Sequence, residues 1–332
     1  YTAECFRAWE SGEPVHIYSV ESSEVKSYFD TWGELFGDAK NLKPEFFPEG
    51  LYYAEAFMKY GCFGFIINRK LTEDEKKILL RFTIEFERTY TRFLDLQKAE
   101  SQAREALIEA ALEKVRGKAM AMHNSDDLTE AAGQVFTELN NLGIKPIRSG
   151  FVLLTKDSRK AKLYPATSFD NKNTISFTGE FEFTGHTVYE KQYESWQKKE
   201  NYFPELEGDL LQSYYKILSE GLSVPYENFP TDKKQFGTFL PFSEGFIFTW
   251  SDEPYSEYEI NILDRFKNIL DLTIRRYTDL KNAEAQSRES QIEASLERVR
   301  SKAMAMQKSD DLSLTVATIF EQLDKLDLGI MR

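Results

Sequence analysis

The stretch "IEAALEKVRGKAMAMHNSDDL", residues 108–128, decides the fold, because the chain repeats it as "IEASLERVRSKAMAMQKSDDL" at residues 292–312. Extending the comparison upstream to Ala99 and Ala283 gives 21 identities in 30 positions without a gap. Self-similarity at a fixed period is typical of chains built from repeated structural units. The sequence therefore predicts a tandem array with a repeat of about 184 residues.

The repeat continues on both sides of this stretch and predicts the domain organisation. Residues 71–100 resemble residues 255–284 at the same offset, and "FRAWESGE" near Trp9 resembles "YESWQKKE" near Trp196. We therefore expect the chain to begin and end inside the array, with the open end of the first domain strained, completed by a neighbour or partly disordered. The predicted parts are the C-terminal part of a first domain (1–98), a connecting coiled-coil helix (99–124), a complete domain (125–282), a second connecting helix (283–308) and the opening helix of a third, truncated domain (309–332).

The complete domain mixes the two periodicities of secondary structure. "GFVLLT", "TISFTGEFEFT", "FGTFLPF" and "GFIFTW" are rich in aromatic and β-branched residues, which favours strands. "TVYEKQYESWQKKE" and "LLQSYYKILSEGL" have the spacing of helices, and Ser125 is placed to cap the first helix of the domain. This order predicts an α+β fold, with an antiparallel sheet flanked by helices.

The repeated helix carries an apolar stripe with steps of 4, 3, 4 and 3 residues, which is a heptad pattern. Charged residues such as Glu109, Glu113 and Arg116 lie beside it. A narrow stripe needs a partner helix, so we expect a parallel homodimer joined by a coiled coil. The alternative is that the stripe packs against its own chain. The predicted seam residues are Ile108, Leu112, Val115, Ala119 and Met122 in the first copy, and Ile292, Leu296, Val299, Ala303 and Met306 in the second.

A second apolar stripe precedes the first copy and is out of phase with it. We assign it to the helix that closes the first globular domain, with a stutter where packing passes from the domain to the connector. Its members are Leu79, Phe82, Phe86, Phe93 and Leu96.

Composition narrows the class of protein. The formal charge of −13, from 55 acidic and 42 basic residues, argues against a nucleic-acid surface and against binding to anionic membranes. No run of 18 or more apolar residues is present to span a bilayer. Cys5 and Cys62 are the only cysteines, which is too few for a disulfide framework and favours a reducing, cytoplasmic compartment.

Catalytic and metal-binding patterns are absent from the sequence. No phosphate-binding glycine loop, H-E-x-x-H helix or EF-hand loop occurs. His123 follows the seam as a phospho-accepting histidine could, but Gln307 occupies its place in the second copy. The paired aspartates of "SDDL" are explained by a helix N-terminus. We therefore predict neither a catalytic residue nor a metal site.

Aromatic residues on the predicted strands supply candidates for an apolar ligand pocket between sheet and helices. Aromatic residues on strands more often form core, so the two interpretations stand side by side. The candidates are Phe151, Tyr164, Phe177, Phe181, Phe239 and Trp250.

The closing helix and connector, "RFTIEFERTYTRFLDLQKAESQAREALIEAALEKVRGKAMAMHNSDDL" (81–128), together with the elements that follow, resemble the tandem GAF-type sensory modules of multidomain bacterial signalling proteins. The resemblance implies an antiparallel sheet backed by helices, dimerisation through terminal helices, and a C-terminal output domain such as a histidine kinase, a cyclase or a DNA-binding domain. It identifies no ligand residues, because the complete domain lacks a bilin-attaching cysteine and an intact nucleotide signature. The cofactor is therefore left open.

We accordingly expect a non-catalytic sensory or regulatory module, which relays changes caused by a small-molecule ligand or partner through a dimeric connecting helix to an output domain. One alternative is a structural spacer that binds nothing and holds its neighbours apart. The other is a fragment of an enzyme that uses acidic side chains such as Glu180 and Glu182.

Overall fold

The chain is seen in a computed structural model that describes residues 2–36, 43–155, 158–169, 172–175, 178–222, 229–308 and 311–326. It divides into two compact units, Tyr1–Arg104 and Glu105–Arg332. Antiparallel sheets and helices occur in both, so the predicted α+β class is confirmed. The predicted connector at residues 99–124 lies within one long helix and the turn that follows it.

The first unit is a three-stranded antiparallel sheet with helices on both faces. Val25, Phe29 and Phe47 pack with Leu51 on one face, and on the other face Leu71 and Leu79 cover Ala54 and Ala56. The elements are α1 (Thr2–Glu10), β1 (Val15–Val20), α2 (Val25–Phe36), a 3-10 turn (Pro44–Phe46), β2 (Leu51–Met58), β3 (Gly61–Ile67) and the start of α3 (Glu73–Met120).

The second unit is built on a larger antiparallel sheet with the strand order β6-β5-β4-β10-β9-β8, and β7 pairs with β5. The end of α3 belongs to this unit. Its further elements are α4 (Leu128–Asn141), β4 (Arg148–Leu154), β5 (Lys160–Phe169), β6 (Lys172–Ile175), β7 (Gly179–Glu182), α5 (Thr187–Lys198), β8 (Glu205–Leu206), α6 (Gly208–Leu222), β9 (Gln235–Phe242), β10 (Gly245–Ser251), α7 (Glu257–Met304) and α8 (Asp311–Lys325).

Strand alternation gives this sheet two apolar faces. In β10, Ile247 points toward α4 and α7, whereas Phe246, Phe248 and Trp250 point toward α5 and α6. Two separate cores result, one on each face of the sheet. The second core holds the candidate site.

The repeat predicted from the sequence is also a repeat of structure. Moving the bounds of β2 and β3 by the offset of the sequence repeat (292 − 108) gives the bounds of β9 and β10. Both long helices contain 48 residues.

The turn after each long helix is closed in the same way. The Asp127 carboxylate accepts hydrogen bonds from the backbone N–H groups of His123 and Asn124 at 2.8 and 3.3 Å. Asp311 accepts from Gln307 and Lys308 at 2.9 and 3.1 Å, and these bonds lower the pKa of both aspartates. Asn124 is the capping residue of the first turn, so the prediction of Ser125 was wrong by one position. The Ser125 hydroxyl instead donates to Glu284 at 2.8 Å.

Candidate functional site

The six aromatic residues proposed as a ligand site lie on both faces of the sheet. Phe181, Phe239 and Trp250 are buried together on the face under α5 and α6. Phe151 and Tyr164 lie on the opposite face, where their rings stack with centroids 4.7 Å apart. Phe177 is outside the described residues. Three of the six therefore share one environment.

Helices α5 and α6 add tyrosines to these three residues, and together they form the aromatic cluster. Tyr214 lies edge-on to Trp250 at 5.2 Å and stacks with Tyr189 at 4.7 Å between centroids. The Tyr189 hydroxyl donates to the backbone carbonyl of Tyr214 at 2.8 Å. The cluster thus fastens the two helices to each other and to the sheet.

Gly237 makes room for Trp250. It pairs with Trp250 across β9 and β10, and a Cβ atom built on it would lie 3.0 Å from the indole and 2.8 Å from the rings of Phe239 and Pro204. Because real Cβ atoms do not approach so closely, a glycine is needed where the indole crosses the neighbouring strand.

Arg148, the first residue of β4, brings a positive charge to this face. Its guanidinium carbon lies 5.1 Å from the ring centroid of Tyr215 and 4.8 Å from that of Phe229. Such contacts stabilise a cation between aromatic faces. No carboxylate among the described residues forms an ion pair with it. An anionic or strongly electronegative group would be attracted here.

Three buried nitrogen donors of this region have no hydrogen-bond partner in the described part of the chain. They are Nη1 of Arg148, Nε2 of Gln192 and Nε1 of Trp250. Burial raises the pKa of Tyr214, and the side chains of Gln192 and Trp250 act in the opposite direction, so both lie near its hydroxyl. Leaving a buried donor unpaired costs about 1–3 kcal/mol. Three buried nitrogen donors therefore converge on this region, which suits a bound group that carries oxygen atoms.

The space available is small. A cavity of about 10 Å³ lies between Arg148, Gln192, Tyr214 and the surrounding apolar side chains. This volume suits a single water molecule. A larger ligand needs α5 or α6 to move away from the sheet.

The titratable groups of the cluster are neutral at physiological pH, apart from Arg148. Burial raises the pKa of Tyr214 to about 12, although Arg148 acts in the opposite direction, and burial also raises the pKa values of Tyr189 and Tyr215. Burial lowers the pKa of His186. Its Nδ1 accepts from the backbone N–H of Val188 at 3.2 Å, so His186 acts as the cap of α5. This arrangement suits binding and holds no pair of nucleophile and base.

The acidic residues considered for an enzyme lie apart from the cluster. Glu180 and Glu182 are on β7, and Glu180 forms an ion pair with Lys162 at 3.4 Å. Within the described ranges, no three His, Cys, Asp or Glu side chains come together as metal ligands. No described helix combines the length and the apolar character needed to cross a membrane.

The two copies of the seam have different surroundings. Ile108, Leu112, Val115 and Met122 belong to a core that also contains residues of α4 and α7, and Ala119 is buried as well. The intramolecular alternative accounts for this copy, because a dimer through it would have to open the core. In the second copy the same stripe is more exposed: Leu296 is 43% exposed and Met306 38%, while Ile292, Val299 and Ala303 are half-buried.

No family model matches the chain, and no curated protein matches it.

Proposed function

We propose that the chain is a non-catalytic sensory or regulatory module of a signalling protein, in which GAF-like domains relay a packing change through shared helices to an output domain outside this chain. The observation that supports this function is that α7 packs in two places, the core of the second unit and a hairpin with α8. Its first half supplies Ile262, Phe266 and Leu270 to the core, and its second half forms a hairpin with α8. A displacement of the first half is therefore felt in the second.

The stiffness of the helix makes this relay physically reasonable. At 1.5 Å per residue, 48 residues extend for about 72 Å without a break in the backbone hydrogen bonds. A small rotation of the helix at one end changes which of its side chains face the neighbouring helix at the other end.

The signal enters, in this proposal, at the aromatic cluster, as a small ligand whose oxygen atoms accept from Arg148 and Gln192. The unpaired donors described above support this assignment. Because the cavity is so small, binding would displace α5 or α6. This displacement is the conformational change that the ligand stabilises.

A chain of hydrogen bonds leads from α5 to α7. Trp196, one turn beyond Gln192 on α5, donates from its indole nitrogen to the Phe242 carbonyl at the end of β9, at 3.2 Å. The next residue, Ser243, donates its backbone N–H to Asp271 of α7 at 3.1 Å, and its hydroxyl donates to the same carboxylate. Movement of α5 would thus pull on α7 through the β9–β10 turn.

The relay is tested by removing the Asp271 carboxylate, which interrupts this series of hydrogen bonds, in the full-length polypeptide. Asp271→Ala should raise hydrogen–deuterium exchange about tenfold in residues 285–304 and in α8, since hydrogen bonds to a charged group contribute about 1.5–3 kcal/mol. Asp279→Ala is the matched control, because it makes the same change at an exposed position of the same helix. If exchange rises only beside the β9–β10 turn, the helices act as a spacer and the relay is refuted.

A parallel homodimer through the connecting helices stays a prediction. Of the two copies of the seam, the second has the uncovered apolar residues that such a dimer needs.

A further inference from the structure

The small cavity between the sheet and helices α5 and α6 has walls of two kinds. Arg148 and Gln192 bring nitrogen donors to it, and Tyr214 brings a hydroxyl. The other described side chains that line it are aliphatic or aromatic and come from the sheet and from both helices. Buried donors without a partner require an explanation in a native core, and a bound ion is one of them. The chemistry of these walls therefore limits what the cavity can hold.

The charge at this cavity is positive. Arg148 is half-buried as a residue, but its Nη1 atom is fully buried and has no hydrogen-bond partner in the described part of the chain. Although the chain contains 55 acidic residues, none within the described ranges forms an ion pair with Arg148. A guanidinium group can only donate hydrogen bonds, and a buried charge without a counter-charge is costly. An anion is therefore the occupant that Arg148 favours.

The neighbours of Arg148 hold its side chain in position. The rings of Tyr215 and Phe229, against which the guanidinium lies, stack with centroids 4.8 Å apart. The Tyr215 hydroxyl donates to Gln235 at 2.6 Å, and Gln235 donates to the Pro230 carbonyl at 2.5 Å. These ring contacts stabilise the cation but offer no oxygen to Nη1. The donor is thus positioned before an ion binds, which lowers the free-energy cost of binding.

The size of the cavity restricts the occupant to one small ion. Its volume of about 10 Å³ corresponds to a single water-sized sphere. The wall at Phe248 is tightly packed, because a Cβ atom built on Gly150 would lie 2.9 Å from that ring. The Phe239 ring lies against it, with centroids 6.5 Å apart. Chloride is only slightly larger than water and suits this space, whereas phosphate and sulfate do not.

A water molecule matches these walls less well than chloride does. It accepts hydrogen bonds as chloride does, but it also has two hydrogens to donate. Among the described residues that line the cavity, only Gln192, Tyr189 and Tyr214 have side-chain oxygens that could accept them. Chloride needs no acceptor, and its negative charge offsets that of Arg148. One chloride ion therefore satisfies both the unpaired donors and the unpaired charge.

We propose that this cavity is a chloride site, in which the ion accepts hydrogen bonds from Nη1 of Arg148 and Nε2 of Gln192. The ion fits between the sheet and the two helices without displacing either helix. Chloride binding goes beyond the sensory function proposed above and does not depend on the relay through α7. A larger, oxygen-bearing ligand would have to expel the ion, so chloride should weaken the binding of such a ligand.

The test compares the thermal unfolding of the full chain in sodium chloride and in sodium gluconate at equal ionic strength. Both salts screen surface charges alike, but gluconate is too large for the cavity. Above the dissociation constant, each tenfold rise in chloride should raise the transition temperature of the second unit by about 3–6 °C. The same transition temperatures in both salts would overturn the proposal.

Two variants locate the ion in solution. Arg148→Met removes the charge and the donor, so it should abolish the difference between the two salts. Arg159→Met is the matched control: Arg159 also lies over a tyrosine ring, that of Tyr193 at 5.2 Å, but it is exposed and donates to the Phe183 carbonyl at 3.3 Å. The control should keep the whole chloride effect. A chloride effect that survives Arg148→Met, or that Arg159→Met removes equally, contradicts the site.

Crystals of the unaltered chain grown in chloride give a readout that needs no variant. Long-wavelength anomalous diffraction should place a chlorine signal within hydrogen-bond distance of Nη1 of Arg148. A density peak without that signal identifies water, and a side chain of the protein paired with Arg148 identifies another partner; either result overturns the proposal. A chlorine signal without a salt difference in solution shows an adventitious ion only and overturns it as well. None of these results bears on the relay, which is tested separately at Asp271.

Discussion

The duplicated connector allows one substitution to be made twice in nearly the same sequence and in two different environments. Leu112 and Leu296 occupy equivalent positions of the repeat. Leu112 is 4% exposed within the core of the second unit, whereas Leu296 is 43% exposed on the second half of α7. We predict that Leu112→Ala destabilises the chain by about 3 kcal/mol and that Leu296→Ala destabilises it by about 1 kcal/mol.

The magnitudes follow from the apolar surface each leucine buries. Replacing leucine by alanine removes three carbon groups, which contribute about 0.8 kcal/mol each when fully buried, or about 2.4 kcal/mol in all. Leu112 is almost fully buried, so its replacement loses nearly all of this free energy, and the cavity left behind adds about 1 kcal/mol. Leu296 buries 57% of its surface (100 − 43), so it loses about 1.4 kcal/mol. Relaxation at the surface and the higher helix propensity of alanine reduce this loss.

The assay is differential scanning calorimetry of the full chain, at a concentration where sedimentation shows a monomer. The second unit runs from Glu105 to Arg332, and for a domain of this size 1 kcal/mol corresponds to about 2–4 °C. Its transition should fall by about 6–12 °C in Leu112→Ala and by no more than about 4 °C in Leu296→Ala. Equal shifts for the two variants would contradict the difference in burial, because the two seams would then be covered to the same extent.

Two further predictions concern the candidate site. Gly237→Ala should destabilise the second unit by about 1–3 kcal/mol, because the new methyl group meets Trp250 and Phe239. Gly117→Ala, in open space within α3, should stabilise the unit by about 0.5–1 kcal/mol. Urea denaturation measures both changes, and an unchanged stability of Gly237→Ala would contradict the close packing. Burial lowers the pKa of His186 below its ordinary value of 6.5, so as the pH falls the unfolded chain is protonated at His186 before the folded chain is. The free energy of unfolding should therefore fall as the pH drops through 6.5. His186→Asn, which keeps a capping side chain, should lose less stability between pH 7.5 and 5.5, and an unchanged pH dependence would show that another group is responsible.

The repeat and the periodicities predicted the elements well, because they depend on local sequence. The aromatic and β-branched residues of "GFIFTW" predicted a strand, and β10 runs from Gly245 to Ser251. The heptad stripe predicted that the connector is helical and that its apolar side is covered. The stripe did not determine what covers the helix, since nearly identical residues are buried in the first copy and partly exposed in the second. An apolar stripe indicates that a helix packs against another element, but it does not identify that element.

The candidate site was only partly predictable. Phe181, Phe239 and Trp250 were chosen because they are aromatic residues on strands, and the pairing of β9 with β10 brings Phe239 and Trp250 to one face. Arg148 and Gln192 were missed because they are far apart in the sequence and meet only through tertiary packing. One signal was available: Gln192 follows Tyr189 by three positions and precedes Trp196 by four, which places a polar residue on the buried side of α5.

The equal lengths of α3 and α7 have a consequence for how such an array changes in evolution. Joining Arg104 directly to Glu289 would combine the part of α3 that begins at Glu73 with the part of α7 that ends at Met304. The product would again be a helix of 48 residues in the same heptad phase, because Arg104 and Glu289 are consecutive positions of the repeat. A recombination at this point would lie inside a helix and not in a loop. A domain inserted or deleted there leaves the neighbouring helix unchanged in length and phase, so domain number can vary between descendants without any new junction having to fold.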